Sequence, residues 1–363
     1  MQIQSMEVHP ITMTLRHPIP MASGVIEKTG NVLVELVADG LTGWGEGVEA
    51  PALTHQHQAD IVADLEALAP IVVGSDPMRR TDLWNRLLAA RPQAATAIGA
   101  IDIAVHDLAG QALEVPIHQL LGGALRDRLP ALSLVGSGDA SADAEKLAEK
   151  YEGGFRWFKI KLGMADPDVE LGTLAKAVEL VGDDGVVCGD VNEGWSETEA
   201  KSFLDRLDGD RIRFIEQPVP RTDRDALLRL AETSAVGICA DESAGNLAAV
   251  IGFVGTAIGG VSLKLIKHGG ITGVMRGGGI CSAGGLAINL AGKVIESSIS
   301  AAANLHCAAA MDRVDYGCSP ANQGLVRDVT DSPILLERGW FAVPQGPGLG
   351  VEVDEELVRA LRT

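Results

Sequence analysis

Aromatic residues, paired cysteines, positive charge and long apolar runs are scarce or missing in this chain of 363 residues. Aromatic residues make up 4% of the sequence, which leaves little material for a surface that recognises ligands by stacking. The formal charge of −19 provides no basic field to offset phosphate repulsion, so we expect no nucleic-acid partner. No apolar run reaches about 18 residues and no apolar stretch follows a basic start, so we expect no membrane span and no secretory signal.

The five cysteines are scattered and form no CxxC pair. An odd, scattered set predicts reduced thiols in a cytoplasmic protein and not a disulfide framework. What the chain does have is 46% hydrophobic and 22% charged residues, which is typical of a compact globular enzyme. Its length suits a barrel of about 250 residues together with a smaller domain.

The first third of the chain reads as strands followed by helices. Alternating apolar residues predict strands over residues 2–8, 30–38 and 41–47, and Asp39-Gly40 predicts a hairpin turn between the last two. From residue 55 to about 122 the apolar spacing becomes helical. This order predicts a small α+β domain.

From about residue 129 the chain alternates between short apolar runs and amphipathic helices, which predicts a parallel sheet closed into a barrel. The predicted strands are 131–135, 158–162, 186–191, 214–217, 237–240, 261–265 and 286–289, with an eighth near 313–316. After residue 320 the alternation of apolar runs and amphipathic helices ends. Two further short strands are predicted at 339–343 and 349–353, in a tail that packs back on the first domain.

Three acidic residues follow apolar runs at nearly equal spacing. Asp190, Glu216 and Asp241 are 26 and 25 residues apart, about one strand-helix unit each. Acids at the ends of three successive barrel strands converge at the barrel mouth, and three carboxylates at one point require a cation. The spacing therefore predicts a hard divalent metal site. The alternative is three unrelated acids at loop starts.

Lysines stand beside these acids in the sequence. Lys159 and Lys161 lie on one face of a predicted strand, where mutual repulsion would lower one pKa and make that lysine a usable base. Lys264, 23 residues after Asp241, would lie across a closed barrel from Lys161. Lys267 is predicted to be a loop residue beyond the strand. The alternative for the first pair is two surface lysines with buried stems.

The ordered set of motifs resembles the enolase superfamily, and within it the muconate-lactonizing enzyme subgroup. The resemblance covers essentially the whole chain. Its segments in the second part are Lys159-Ile160-Lys161, Asp190-Val191-Asn192, Glu216-Gln217-Pro218, Asp241-Glu242-Ser243 and residues 264–270. In the first part they are residues 43–47, 101–108 and 121–123.

The resemblance implies an α/β fold with a modified (β/α)8 TIM-type barrel and an α+β capping domain built from the N-terminus and the C-terminal tail. The expected boundaries are 1–125 for the capping domain, 126–320 for the barrel and 321–363 for the returning segment. The resemblance further implies a small-molecule carboxylate substrate and a homo-oligomer, either a dimer or an octamer.

The same resemblance implies Mg²⁺, or Mn²⁺, held by Asp190, Glu216 and Asp241. The metal would bind the substrate carboxylate and stabilise the enediolate that forms when the α-proton leaves. Lys161 and Lys264 would be the two acid/base residues. The expected outcome is racemisation, epimerisation or cycloisomerisation.

Further site residues are also implied by the resemblance. Lys159 would bind the substrate carboxylate, and Asn192 would support the metal ligands through hydrogen bonds. Met21 and Ser23 lie in residues 16–31, which match the loop that covers the substrate in the family. Glu296 matches a family motif after the seventh strand and either lines the site or has a structural role.

The chain departs from the family near the eighth strand. Muconate cycloisomerases carry a glutamate there, and Ser319 takes its place here, with Asp315 four residues earlier. The Asp-x-Asp of dipeptide epimerases is not found in register. Ser319 is therefore a candidate substrate-binding residue, and neither named activity follows from the sequence.

Three other functions are weighed against an isomerase. A lyase, such as a dehydratase or an o-succinylbenzoate synthase, would use the same enolate to expel a leaving group. A Schiff-base enzyme would use Lys159 or Lys161 as a nucleophile without a metal. A non-catalytic binding module is least favoured, because clustered acids and buried lysines are costly without a ligand.

Overall fold

An antiparallel sheet of three strands in the order β1-β2-β3 begins the chain in the computed structural model, which describes residues 1–21 and 24–363. The strands are β1 (Ser5–Met21), β2 (Gly24–Ala38) and β3 (Leu41–Val48). The predicted turn between β2 and β3 is confirmed. Asp39 and Gly40 both have positive φ, 50° and 81°, as a two-residue hairpin turn of this kind requires.

Helices follow the sheet, as predicted. They are α1 (Pro51–Thr54), α2 (Gln58–Val72), α3 (Arg80–Ala90), α4 (Ala95–Ala112) and α5 (Ile117–Leu120). Helix α4 is buried over most of its length because β3 covers one side of it. Gly45 makes this contact possible, since a Cβ there would lie 1.9 Å from the carbonyl oxygen of Ala100.

Eight parallel strands then alternate with helices and form a barrel, which confirms the predicted fold class. A short strand, β4 (Arg128–Pro130), precedes them. The barrel strands are β5 (Leu132–Val135), β6 (Trp157–Lys161), β7 (Val186–Asp190), β8 (Phe214–Glu216), β9 (Gly237–Ala240), β10 (Gly260–Leu263), β11 (Ala287–Ala291) and β12 (Gly317–Ser319). A bridge between Ala131 and Cys318 joins the first and last of them.

The helices of the barrel follow its strands in turn. They are α6 (Ala140–Glu152), α7 (Pro167–Val181), α8 (Glu197–Leu204), α9 (Arg224–Thr233), α10 (Leu247–Ile251), α11 (Leu265–His268), α12 (Gly270–Gly284) and α13 (Ser298–Ala310). Two turns of 3-10 helix, Glu242–Ala244 and Asn322–Gly324, follow β9 and β12.

The eighth barrel strand lies later in the chain than the predicted 313–316. Strand β12 begins at Gly317, because Arg313 and Asp315 form a partly exposed ion pair before it. Tyr316 stacks on Phe214 with ring centroids 4.1 Å apart and closes the bottom of the barrel. Asp315 therefore lies at the end of the strand opposite to Ser319.

The tail forms one of its two predicted strands, the one at 339–343, as β14 (Trp340–Ala342). Strands β13 (Leu336–Glu337) and β14 make a hairpin, and β14 pairs with β4. The second prediction, a strand at 349–353, is wrong. The backbone turns there at Gly348 and Gly350, both with positive φ, and the amide of Leu349 donates to the Asp107 carboxylate at 2.8 Å.

The chain ends on the first domain. Helix α14 (Glu355–Leu361) packs on β1, and Arg362 forms a backbone bridge with Ile11. All five cysteines are free, as their spacing predicted, and all five are buried. Within residues 1–21 and 24–363, no helix combines the length and the apolar character that a membrane crossing needs.

Helix α4 joins the first domain to the barrel around α11 and α12. The Asp102 carboxylate accepts hydrogen bonds from the amide and hydroxyl groups of Thr272, at 2.8 and 2.7 Å. The indole of Trp84 donates to the carbonyl of Gly269 at 2.7 Å. These contacts fix the start of α12 and the short helix before it, which carries part of the site described next.

Candidate active site

Three buried carboxylates end three neighbouring barrel strands. Asp190 is the last residue of β7, Glu216 is the last residue of β8, and Asp241 follows β9 directly. Asp190 and Glu216 are register partners and therefore stand side by side. Each of the three is at most 5% exposed. The equal spacing in the sequence thus corresponds to one acid per adjacent strand at one end of the barrel.

Each of these acids is neutralised by lysine. The ammonium groups of Lys159 and Lys161 donate to Glu216 and Asp190, the latter pair at 2.8 Å. Asp241 receives Lys264 on one oxygen, and Lys267 on the other at 2.6 Å. Lys161 and Lys264 come from β6 and from the end of β10, which are four strands apart in an eight-stranded barrel. They therefore lie on opposite sides of the acids.

The ligand oxygens of the three acids do not all lie within 4.8 Å of one another, because each carboxylate is turned toward its own lysine. Such a cluster is stable only with cationic partners, and ammonium groups fill that role here. The donor set itself consists of three hard carboxylate ligands, as Mg²⁺ and Mn²⁺ prefer. The residues therefore fit a divalent cation.

Ion pairing governs the protonation of the site. Burial alone would lower the pKa of Lys159, but the nearby Glu216 and Asp190 carboxylates outweigh burial and raise it. The pKa of Lys264 is raised in the same way, against burial, by Asp241. The expected mutual repulsion between Lys159 and Lys161 therefore does not lower the pKa of Lys159, because each lysine faces its own carboxylate.

Two polar residues of the barrel interior hold Glu216 from the side opposite to Lys159. The hydroxyl of Ser262 on β10 donates to the Glu216 carboxylate at 2.5 Å. The side-chain amide of Asn289 on β11 donates to the same hydroxyl at 2.8 Å. Both residues are fully buried. Below them, the barrel is filled by apolar and thiol side chains, namely Leu132, Cys188, Phe214, Cys239, Ala287 and Tyr316.

Asn192 forms hydrogen bonds with both Lys161, a candidate catalytic residue, and a further acid, Glu242. Its carbonyl oxygen accepts from the Lys161 ammonium, and its amide donates to Glu242 at 3.2 Å. Its backbone has a φ of 46°, which aims the side chain back across the barrel mouth. Burial, followed by the charge of Asp241, raises the pKa of Glu242 to about 8. The backbone amide of Asn192 donates to the Asp190 carboxylate at 3.2 Å. Asn192 thus contacts both Lys161 and one of the candidate metal ligands.

Lys267 is not the loop residue that the sequence predicted. It lies in α11 and is 4% exposed, and its ammonium donates to the backbone carbonyl and the carboxylate of Asp241. The chain leaves β10 at Lys264 and turns at once into this helix, so Lys267 points back under the site. His268 is its neighbour, and burial lowers the pKa of that imidazole to about 3, which keeps it neutral.

The predicted substrate-binding residues fall in different places. Ser319, at the end of β12, lines the cavity with Lys159. Glu296 does not line it; its carboxylate accepts from the amides of Lys293 and Ala321, at 3.0 and 3.2 Å, so the structural alternative fits its position. Ser23 lies outside the described residues, and so does the side chain of Met21.

A cavity of about 810 Å³ opens above the acids, between the barrel mouth and the first domain. The capping side of its wall includes Arg16, His17, Ile26 and Lys28, which belong to the hairpin of β1 and β2. The described part of residues 16–31, which were predicted to cover the substrate, thus contributes side chains to the wall. The barrel side includes Lys161, Asp190, Asn192, Glu216, Glu242, Lys264 and Lys293.

A second group of possible ligands lies outside the barrel. Atoms of Glu7, His9 and Glu35 are within 4.8 Å of one another on the first sheet. The imidazole of His9 already contacts Glu35 at 3.0 Å and accepts from the Arg362 guanidinium on its other nitrogen. These atoms are satisfied within the protein, so the barrel acids remain the candidate metal centre.

The sequence reasoning missed Ser262, Asn289, Lys267 and Lys293. A signal existed for two of them. Ser262 is two residues before Lys264 and shares its face of the strand, and Asn289 is a lone polar residue in the apolar run of β11. Lys267 and Lys293 lie in segments that begin where a strand ends, and no periodic pattern marks which way they point.

Two family models match the chain over most of its length. Residues 3–122 match the model described as "Mandelate racemase / muconate lactonizing enzyme, N-terminal domain", and residues 142–357 match "Enolase C-terminal domain-like". A chloromuconate cycloisomerase of Pseudomonas putida is 32% identical over 367 residues, covering 99% of this chain and 98% of that protein. An N-succinyl-L-Arg/Lys racemase of Bacillus cereus is 26% identical and covers the same shares.

Solved structures agree with these sequence matches. The crystal structure of 2-chloromuconate cycloisomerase from Rhodococcus opacus superposes with a TM-score of 0.93 at 29% identity and covers 100% of both chains. The barrel, the capping domain and their connection are therefore shared with an isomerase over the full length of this chain.

Proposed function

This chain belongs to the mandelate racemase/muconate lactonizing enzyme family of the enolase superfamily, and on that premise we propose an isomerase that removes the α-proton of a carboxylate substrate. The observation that carries the proposal is the position of two lysines. Lys161 and Lys264 lie on opposite sides of three buried carboxylates, and both line the cavity. A carbon bound between them is accessible to a base on one face and an acid on the other.

Asp190, Glu216 and Asp241 would hold Mg²⁺, or Mn²⁺ in its place. The ion would supply a binding site for the substrate carboxylate and positive charge close to the negative charge that develops as the proton leaves. Lys159 supports the same assignment, because its ammonium already contacts Glu216 beside the place where that carboxylate would bind.

The protein's own residues divide the proton transfer between them. Lys161 accepts the α-proton at its Nζ atom, and Asn192 orients that atom by accepting a hydrogen bond from it. Lys264 is kept as an ammonium by Asp241 and donates a proton to the other face. In the reverse direction the two lysines exchange roles. Donation of the Lys264 proton to the opposite face gives a racemised or epimerised product, and proton transfer coupled to ring closure or opening gives a cycloisomerised one.

Exchange of the α-hydrogen with solvent tests this assignment. We expect incorporation of deuterium from D₂O into acids drawn from N-acylated amino acids, dipeptides and muconates, in the presence of MgCl₂. Lys161→Ala and Lys264→Ala should each lower exchange by at least about 100-fold for the enantiomer whose α-hydrogen faces the missing lysine, because removal of an acid/base group costs that much. Lys201→Ala, a substitution in an exposed pair with Asp205, is the matched control.

The products distinguish the reactions that share the proton abstraction. An inverted centre identifies a racemase or epimerase, and a ring-opened or ring-closed isomer identifies a cycloisomerase. An unsaturated product that has lost a group identifies a lyase and overturns the isomerase assignment. Exchange that continues at the wild-type rate in both lysine variants would exclude the two-lysine mechanism.

A further inference from the structure

The barrel has a seam between its last and first strands. Strands β12 and β5 end the eight-stranded order, and the bridge between Ala131 and Cys318 joins them. A helix follows each of the first seven barrel strands, whereas a turn of 3-10 helix and the β13–β14 hairpin follow β12. The hairpin packs beside the seam, since the amide of Ala131 donates to the carbonyl of Gly339 at 2.8 Å.

The cavity wall extends to the outer side of this seam. Leu132 on β5 packs inside the barrel, so its neighbour Ser133 points outward to the helix layer, because side chains alternate along a strand. The ammonium of Lys150 on α6 donates to the Ser133 hydroxyl at 2.6 Å. Six lining residues form what we call the outer pocket, namely Ser133, Lys146, Lys150, Phe155, Leu336 and Phe341. The outer pocket therefore lies on the face of β5 opposite to the three acids.

One side of the outer pocket is apolar. Phe155 follows α6, and Leu336 and Phe341 belong to the β13–β14 hairpin. The hairpin lies directly on the loop before Phe155, where a Cβ at Gly339 would be 2.5 Å from the carbonyl oxygen of Gly154. These three side chains form an apolar wall that joins the tail to α6.

The other side of the outer pocket carries positive charge without a partner. Among the described residues, no carboxylate forms an ion pair with Lys146 or Lys150, unlike the lysines at the acids. Burial, followed by the charge of Lys146, lowers the pKa of Lys150 to about 8, against the opposite effect of Glu149. A partly buried ammonium without a counter-charge is costly, and an anion beside it would offset both burial and repulsion.

We propose that the outer pocket binds an amphiphilic monocarboxylate, with its carboxylate at Lys150 and Lys146 and its alkyl chain or aromatic ring along the apolar wall. The Ser133 hydroxyl, which now accepts from Lys150, can donate to this carboxylate. Such a ligand is an effector and not the substrate, because the outer pocket faces away from the acids. It links α6 to the tail hairpin. The proposed reaction is not needed for this inference.

Calorimetric titration with octanoate and with 1-octanol tests the proposal, because the two probes share a chain length and differ in charge. Octanoate should bind the wild type at least about 10-fold more tightly than octanol. Lys150→Met should weaken octanoate alone to the level of octanol, and Lys150→Arg should keep the preference. Lys201→Met, in an exposed pair on α8, is the matched control, and thermal unfolding checks that each variant is folded.

Tryptic cleavage after Arg338 locates the bound ligand. Arg338 is exposed in the turn between β13 and β14, so a ligand that links the hairpin to α6 should slow cleavage there. Octanoate should protect this site in the wild type and not in Lys150→Met.

Two results would overturn the proposal. One is an octanoate affinity that Lys150→Met leaves unchanged or that Lys264→Ala abolishes, since binding would then belong to the acids. The other is tight binding of octanoate without protection at Arg338, which would place the ligand away from the hairpin. Neither result depends on α-hydrogen exchange.

Discussion

The ammonium group of Lys267 donates to two oxygens of Asp241, the backbone carbonyl and a carboxylate oxygen, each at 2.6 Å. Both residues are almost completely buried. The second carboxylate oxygen of Asp241 accepts from Lys264, which faces the cavity. Asp241 thus forms ion pairs with two lysines, of which only Lys264 lines the cavity. Lys264 can exchange its partner for a ligand, whereas Lys267 is a fixed counter-charge that orients Asp241.

Substitution of Lys267 by methionine should expose this role as counter-charge. We expect Lys267→Met to lower the free energy of unfolding by about 1–3 kcal/mol, because Asp241 keeps Lys264 but loses two buried hydrogen bonds. The stabilisation gained on addition of MgCl₂ should be larger than in the wild type, because the site has lost a positive charge. Urea unfolding with and without MgCl₂ measures both quantities.

The control for this prediction is Lys201→Met, which breaks an exposed pair with Asp205 and should change the unfolding free energy by less than about 1 kcal/mol. A gain from MgCl₂ in Lys267→Met that is equal to or smaller than that of the wild type would show that Lys267 does not act as the counter-charge of a metal site.

The hydroxyl of Ser262 should strengthen metal binding through Glu216. Its hydrogen bond holds one carboxylate oxygen of Glu216, and the Lys159 ammonium donates to the other oxygen. We expect Ser262→Ala to weaken Mn²⁺ binding by about 10-fold, in line with the loss of other hydrogen bonds to metal ligands. Calorimetric titration with MnCl₂ measures the change, with Ser202→Ala on the exposed face of α8 as control. An unchanged affinity would mean that Lys159 alone orients Glu216.

Much of the fold was predictable because apolar runs mark barrel strands directly. The predicted strand 237–240 coincides with β9, and the others among the first seven overlap the observed strands within a few residues. The eighth strand was misplaced because Arg313 and Asp315 interrupt the apolar pattern just before it begins. The strand predicted at 349–353 failed because two turns with positive φ break a segment whose composition is otherwise typical of a strand.

The site was predictable where its residues end strands. Asp190 and Glu216 come directly after apolar runs, and strand period places Lys159 and Lys161 on one face. Lys267 was not predictable, because the chain enters a four-residue helix immediately after β10, and a helix of one turn has no apolar period. The loop that carries Lys293 is held by the side chain of Asn31, which is remote in sequence and donates to the carbonyl of Ile295.

Glu296 should make the stability of the protein depend on pH in an unusual direction. Burial raises its pKa to about 8 from an ordinary value of 4.5, so the folded state binds this proton more tightly than the unfolded chain. Its contribution to stability is therefore complete below pH 4.5 and is lost as the pH rises through about 8. We expect Glu296→Gln to be more stable than the wild type at pH 9, by up to about 4 kcal/mol, and to lose this advantage toward pH 5.

Urea unfolding at a series of pH values checks this dependence, with Glu66→Gln on the exposed face of α2 as control. Parallel pH profiles of the wild type and Glu296→Gln would contradict the prediction, because Glu296 would then titrate alike in both states.

Arg221 should couple the capping domain to the catalytic loop. Its guanidinium donates to the carbonyls of Ala52 and Leu53, at 2.7 and 3.0 Å, and forms a two-point pair with Glu193, the residue after Asn192. A lysine cannot make these contacts together, because it lacks the planar fork of a guanidinium group.

We expect Arg221→Lys to lower kcat/KM by about 10-fold, through both a lower kcat and a higher KM, because the capping domain would close less firmly over the site. Steady-state kinetics and the rate of proteolysis near residue 52 measure the two effects. The control is Arg224→Lys, because the Arg224 guanidinium contacts the carbonyl of Gly252 and the ring of Phe253. A change confined to kcat, with proteolysis unaltered, would instead place the effect on Lys161 through Asn192 and not on closure.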